Sequence, residues 1–103
     1  MYTVILITAK NKAQATKIAR ALLKEKLIAC ANIVGGVTSL FWWQGAIDSA
    51  TETLLIIKTK RRLVKKIIAA VKKLHSYDVP EIIALPIVEG NKDYLRWINA
   101  SVR

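Results

Sequence analysis

At 103 residues, 53% of them apolar, the chain is large enough to bury a core and small enough to read as one domain, residues 1–103. Seventeen Lys and Arg against seven Asp and Glu give a net charge of +10, which raises nucleic acid or an anionic membrane surface as partners. Cys30 is the only cysteine, which excludes an intrachain disulfide and a Cys-rich structural zinc site, and no apolar run approaches the ~20 residues that a bilayer span needs.

Met1-Tyr2-Thr3-Val4 lacks a basic stretch and a cleavage site, so it reads as the start of a strand rather than a signal peptide, and a cytoplasmic location is expected. Tyr2 to Ala9 is a β-rich apolar run with the look of a central strand buried on both faces. Asn11 is a cap for the helix that follows, where Ala15, Ile18, Ala19, Leu22 and Leu23 recur at helical spacing. Ile28 to Trp43 is a second strand interrupted only by Gly35-Gly36, and Gln44-Gly45 is the turn into a third strand, Ala46 to Lys60. Leu63, Val64, Ile67, Ile68, Val71 and Leu74 make Arg61 to Leu74 an amphipathic helix. Glu81 to Glu89 is a fourth strand, and Pro86 within it argues for an edge position or a bulge. Gly90-Asn91 then turns into a short helix carrying Tyr94, Leu95, Trp97 and Ile98. The order β-α-β-β-α-β plus a C-terminal helix predicts an α+β, ferredoxin-like fold.

The second strand is too long for a body of this size. Sixteen residues from Ile28 to Trp43 extend to about 50 Å, whereas a 100-residue domain is roughly 35 Å across. The hairpin must bend at Gly35-Gly36, project, or both, and its tip, Phe41-Trp42-Trp43, carries aromatic rings that a solitary hairpin leaves partly in water. Such a tip is expected to mark a subunit interface, the alternative being that it folds back over its own sheet.

Several runs in order, Ile28-Ala29-Cys30-Ala31-Asn32, Leu40 to Ile47, Glu52 to Thr59, His75-Ser76-Tyr77-Asp78-Val79-Pro80-Glu81-Ile82 and Asp93 to Ile98, resemble the CutA family of divalent-cation tolerance proteins. The resemblance extends from Thr3 to Arg103. It implies a cytoplasmic homotrimer whose arms pair across subunits, as in PII-type signalling proteins, with a role in the response to metal ions and Cu(II) or another divalent ion as ligand. Where some members carry a cysteine and a second histidine proposed as copper ligands, this chain has Ile7 and Leu74; Ser76 and Asp78 stand where proline and glutamate are usual. Metal binding is therefore expected to be modest.

His75, the sole imidazole, lies just past the second helix beside Asp78 and Glu81. These three, with Cys30, are the candidate metal ligands. The competing reading makes His75 a helix-ending residue bonded to backbone carbonyls, and Cys30 a small packing residue. Lys65, Lys66, Lys72 and Lys73 belong to a basic run with no acid between Thr53 and Tyr77. That run reads first as a solvated face and second as a phosphate-binding surface. Sequence-specific nucleic-acid recognition is not expected, because the glycine-aromatic signature of RNA-recognition domains is missing. The phosphate loops, nucleophile elbows and zinc-protease motifs of common enzymes are missing too, so the chain reads as a non-enzyme. A PII-like interaction scaffold without a metal role is the alternative function.

Overall fold

In the computed structural model, which describes residues 1–103, the elements run β1 (Tyr2–Ala9), α1 (Lys12–Lys24), β2 (Cys30–Trp43), β3 (Ala46–Lys60), α2 (Val64–Leu74), β4 (Ile82–Pro86) and α3 (Lys92–Ser101). The four strands form one antiparallel sheet in the order β2-β3-β1-β4, the ferredoxin-like arrangement. The Asn11 side chain accepts from the Gln14 N–H at 2.8 Å and opens α1 as its cap. Arg61–Leu63 is a 3₁₀ turn rather than the first turn of α2. β2 starts at Cys30 and β4 is confined to Ile82–Pro86, both shorter than their apolar sequence runs. β4 is an edge strand, which tolerates Pro86 opposite Thr3 because its outer side has no ladder to complete.

Burial alternates along β1. Thr3, Ile5, Ile7 and Ala9 are buried, and the residues between them are half-buried. The buried set joins Leu55 and Ile57 of β3 with Ile18 and Leu22 of α1 and Ile67 and Val71 of α2 in one core. β1 is thus fully covered on its helix side alone, a departure from the two-sided burial expected of it. On the other side of the sheet, Ile83 and Leu85 of β4 and Val34 of β2 are about half exposed.

The hairpin both bends and projects. Val34 pairs with Leu54 but Val37 with Glu52, so β2 holds one residue more than β3 at Gly35-Gly36, a bulge in which Gly36 takes φ +70°. Gln44 and Gly45 at the tip both have positive φ, 50° and 80°, as a two-residue hairpin turn requires. The resulting body measures 44 × 26 × 22 Å.

Candidate functional site

β1 ends at the pair Ala9–Thr53, so residues 46–52 of β3 are paired with β2 alone. The segment leaving α2 packs at this step. His75 closes the helix, its N–H donating to the Val71 carbonyl at 2.8 Å. The residue as a whole is 9% exposed. Nδ1 accepts the Tyr77 N–H at 3.0 Å, which leaves the proton on Nε2, and Nε2 donates to the Thr8 carbonyl at 2.7 Å. Both ring nitrogens therefore have partners within the chain, one a backbone carbonyl and the other a backbone N–H.

That turn swings Tyr77 toward β3. Its ring lies against His75, with centroids 4.6 Å apart, and its hydroxyl donates to Glu52 Oε2 at 2.8 Å. Burial first, and then the neighbouring Glu52 carboxylate, push the Tyr77 phenol up to about 12, so it remains a donor through the neutral range. Glu52 is itself 9% exposed.

Around this pair lies a cleft of about 790 Å³, open to solvent between the hairpin and the loop. The bulge sets its wall. Beyond Val37 the odd residues of β2 share a face with the even residues of β3, and Phe41, Trp43, Asp48 and Glu52 from that face all line the cleft. Asp78 and Glu81 contribute from the loop. The hairpin's opposite face carries Leu40, Trp42 and Ile47, exposed by 74%, 73% and 69%. The three aromatic residues at the tip thus divide between two surfaces, with Trp42 facing away from Phe41 and Trp43.

The four candidate metal ligands are not gathered. Cys30 pairs with Lys58 on β3, four residues from the Leu54 that faces Thr8, which is about 13 Å of strand. Its thiol lies 3.5 Å from the Tyr94 hydroxyl, a contact that raises the Tyr94 pKa. No three His, Cys, Asp or Glu side chains are grouped to hold one metal ion. Lys65, Lys66, Lys72 and Lys73 are all exposed on α2, and a shallow basic depression lies beside Met1, Lys60, Arg61 and Arg62. No helix is long and apolar enough to cross a membrane.

Residues 3–101 match the family described as CutA1 divalent ion tolerance protein. The chain belongs to this family. It is 49% identical over 98 residues to the divalent-cation tolerance protein CutA of Thermus thermophilus, an alignment that covers 95% of each chain. It is 46% identical over 100 residues to the chloroplastic protein CutA 1 of Oryza sativa, where it spans 97% of its own length but only 56% of the plant protein. The solved structure of the Thermus thermophilus protein superposes with a TM-score of 0.97 at 47% identity over all of both chains. The periplasmic divalent cation tolerance protein CutA of Archaeoglobus fulgidus gives 0.97 at 43% identity, again over the whole of both chains. These CutA relatives share the fold of the whole chain.

The sequence singles out His75, Asp78 and Glu81 as candidate ligands but not Glu52, which Tyr77 bonds at the same cleft that Asp78 and Glu81 line. The signal for Glu52 was its position as a lone charge at the head of the apolar run Leu54-Leu55-Ile56-Ile57. The signal for Thr8 was nil, since only its backbone carbonyl is used.

Proposed function

We propose that this CutA-family chain acts as a cytoplasmic homotrimer in divalent-cation tolerance, without enzymatic activity. The observation that carries the trimer is the apolar surface left uncovered in one copy: Leu40, Trp42 and Ile47 on the hairpin, and Ile83, Leu85 and Trp97 elsewhere, are between 44% and 74% exposed. Two free sheet edges, β2 and β4, accompany it. Isolated soluble chains rarely leave so much large apolar surface together with open strand edges. Sedimentation equilibrium tests the assembly: a mass three times 11.5 kDa is expected, and a monomer at micromolar concentration would overturn it.

Metal binding in this reading is modest, and its ligands are Asp78 and Glu81, both exposed at the cleft. His75 joins them only by giving up its bond with either Tyr77 or Thr8, and that cost keeps the affinity down. Cys30 is a ligand only where another copy supplies the rest of a shell. Calorimetric titration with Cu(II) and Zn(II) tests this, with weak binding expected that falls further in Asp78→Asn and Glu81→Gln. Unchanged binding in both variants would remove the loop from the site.

The second reading, a PII-like trimeric scaffold with no metal role, draws support from the fully bonded His75 ring. Absence of any stoichiometric metal binding by an intact trimer would favour it. Nucleic-acid binding through Lys65, Lys66, Lys72 and Lys73 ranks third, as a salt-sensitive and sequence-blind association.

A further inference from the structure

The two helices that cover the sheet are charged with one sign only. α1 carries Lys12, Lys17, Arg20 and Lys24, all exposed, and α2 carries Lys65, Lys66, Lys72 and Lys73, also exposed. Neither helix contains an Asp or a Glu, and the nearest acid in sequence, Glu25, caps the end of α1. The one salt bridge joins Arg96 to Asp93. The side-chain hydrogen bonds that Lys and Arg donate belong to Lys58, Lys60, Arg62 and Arg96, so no cation of either helix is held within the chain. A merely solvated helix face ordinarily interleaves the two signs in i,i+3 and i,i+4 pairs that support the helix. Here Lys17, Arg20 and Lys24 succeed one another at those spacings with like charge. Lys65 and Lys66 stand in the first turn of α2, where the helix dipole also disfavours a cation. The arrangement works against the helices that carry it, and a polyanion laid across them relieves the repulsion.

The rest of the face says which polyanion. Neither helix contains Phe, Trp or Tyr, so unpaired bases find nothing to stack on. The apolar sides are buried in the core, and Leu23 is the one large apolar residue that the two helices leave exposed. No apolar stripe remains to enter a bilayer, and no aromatic anchor to seat a protein partner. What remains is charge in two rows. Lys17, Arg20 and Lys24 form a stripe about 10 Å long on α1, and on α2 Lys65 with Lys72, and Lys66 with Lys73, recur at an interval of about two turns. α1 packs against α2. Packed helices run about 8–10 Å apart, which spaces the rows comparably with the ~12 Å major groove of a B-form duplex. We infer that the α1–α2 face binds the phosphate backbone of double-stranded DNA, one row of cations on each side of a groove, without contacts to base edges. This rests on the nucleic-acid reading that ranks third above, and deepens it by adding α1 and specifying a duplex. None of the exposed apolar residues that support the trimer belongs to α1 or α2, so the face does not compete with that assembly.

The test titrates the whole protein into a short labelled duplex of mixed sequence and follows fluorescence anisotropy over a range of salt. The logarithm of affinity should fall against the logarithm of salt with a slope of about −4.5 or steeper, as five or more phosphate contacts require. Arg20→Gln with Lys24→Gln, and Lys65→Gln with Lys72→Gln, should each raise Kd by about fivefold or more and make that slope shallower by about 2. Lys92→Gln with Arg96→Gln removes the same charge from α3 and should change Kd by less than about twofold. All six side chains are exposed, and circular dichroism checks that each variant keeps the fold. The single strand of the same sequence should bind more weakly than the duplex. A loss confined to one helix overturns the two-row face; if that helix is α2, the third reading survives without it. No binding to any nucleic acid defeats both. Equal weakening by the α3 pair would reduce the effect to net charge, and tighter binding of the single strand would place the contact on aromatic residues elsewhere; either overturns the inference. Phosphatidylserine vesicles that bind the protein and are not displaced by the duplex would assign the face to a membrane surface, which also overturns it.

Discussion

The Tyr77 hydroxyl donates to Glu52 Oε2 at 2.8 Å, and this bond ties the loop after α2 to the root of a hairpin that is otherwise held only by its own two strands. Tyr77 is the residue after which the chain runs on to β4, and Glu52 is the first residue of β3 beyond the reach of β1. The contact therefore links the loop to the hairpin where β1 no longer pairs with β3.

Its strength should depend on alkali in a definite direction. The Tyr77 phenol is raised from 10.0 to about 12 in the folded chain, mainly by burial and then by Glu52. The neutral form is the one that folding favours, so the contribution is fully present below pH 10. It is lost as pH rises from about 10 to about 12, because the unfolded chain then releases its proton more readily than the folded one. Urea denaturation across that window should show wild type losing stability faster than Tyr77→Phe. Parallel pH profiles for the two proteins would mean that the bond does not couple the phenol to folding.

His75 is bonded through both ring nitrogens, so its removal is expected to act on stability. His75→Ala leaves the Thr8 carbonyl and the Tyr77 N–H without partners in a part-buried place, a loss of about 2–4 kcal/mol. His75→Asn, able to rebuild one of the two bonds, should lose less. Thermal denaturation of the three proteins decides the order. An alanine variant as stable as wild type would show that water replaces the ring without penalty.

Much of this architecture was legible in the residues. Periodicity located every helix and strand, Asn11 announced its cap, and Gln44-Gly45 announced the turn. Three things were not legible, each because it depends on partners far apart in sequence. The environment of Glu52 arises from Tyr77, 25 residues on. The state of His75 depends on a carbonyl 67 residues away. The division of Phe41-Trp42-Trp43 between two surfaces follows from strand alternation, but which face looks over the cleft is set by the bulge and by the position of the loop. Residue types indicate what chemistry is available; register decides where it is delivered.

That division yields a prediction about assembly. Trp42 lies on the hairpin face away from the cleft and is 73% exposed, so it does not hold its own chain together. Trp42→Ala should weaken self-association by roughly 2 kcal/mol or more, as central interface aromatics commonly do, with little change in fold. Trp43→Ala, on the cleft face, should disturb association less. Sedimentation over a range of concentrations separates the two variants, and an equal effect of both would mean that the subunit contact wraps the whole tip.

The bulge offers the last test, because its two glycines differ in one respect only. A Cβ at either position meets no atom within 4 Å, so neither is required for space. Gly36 alone has a positive φ, +70°, a conformation that costs an L side chain about 1 kcal/mol. Gly35→Ala should therefore be neutral or add a few tenths of a kcal/mol, by restricting the unfolded chain at no cost to the folded one. Gly36→Ala should destabilise by about 1 kcal/mol, and it should also disturb the cleft, since the extra residue there turns Phe41 and Trp43 toward Glu52. Chemical denaturation measures the first effect, and the Trp fluorescence spectrum reads the second. If both substitutions have the same effect, the positive φ of Gly36 is not what holds the bulge.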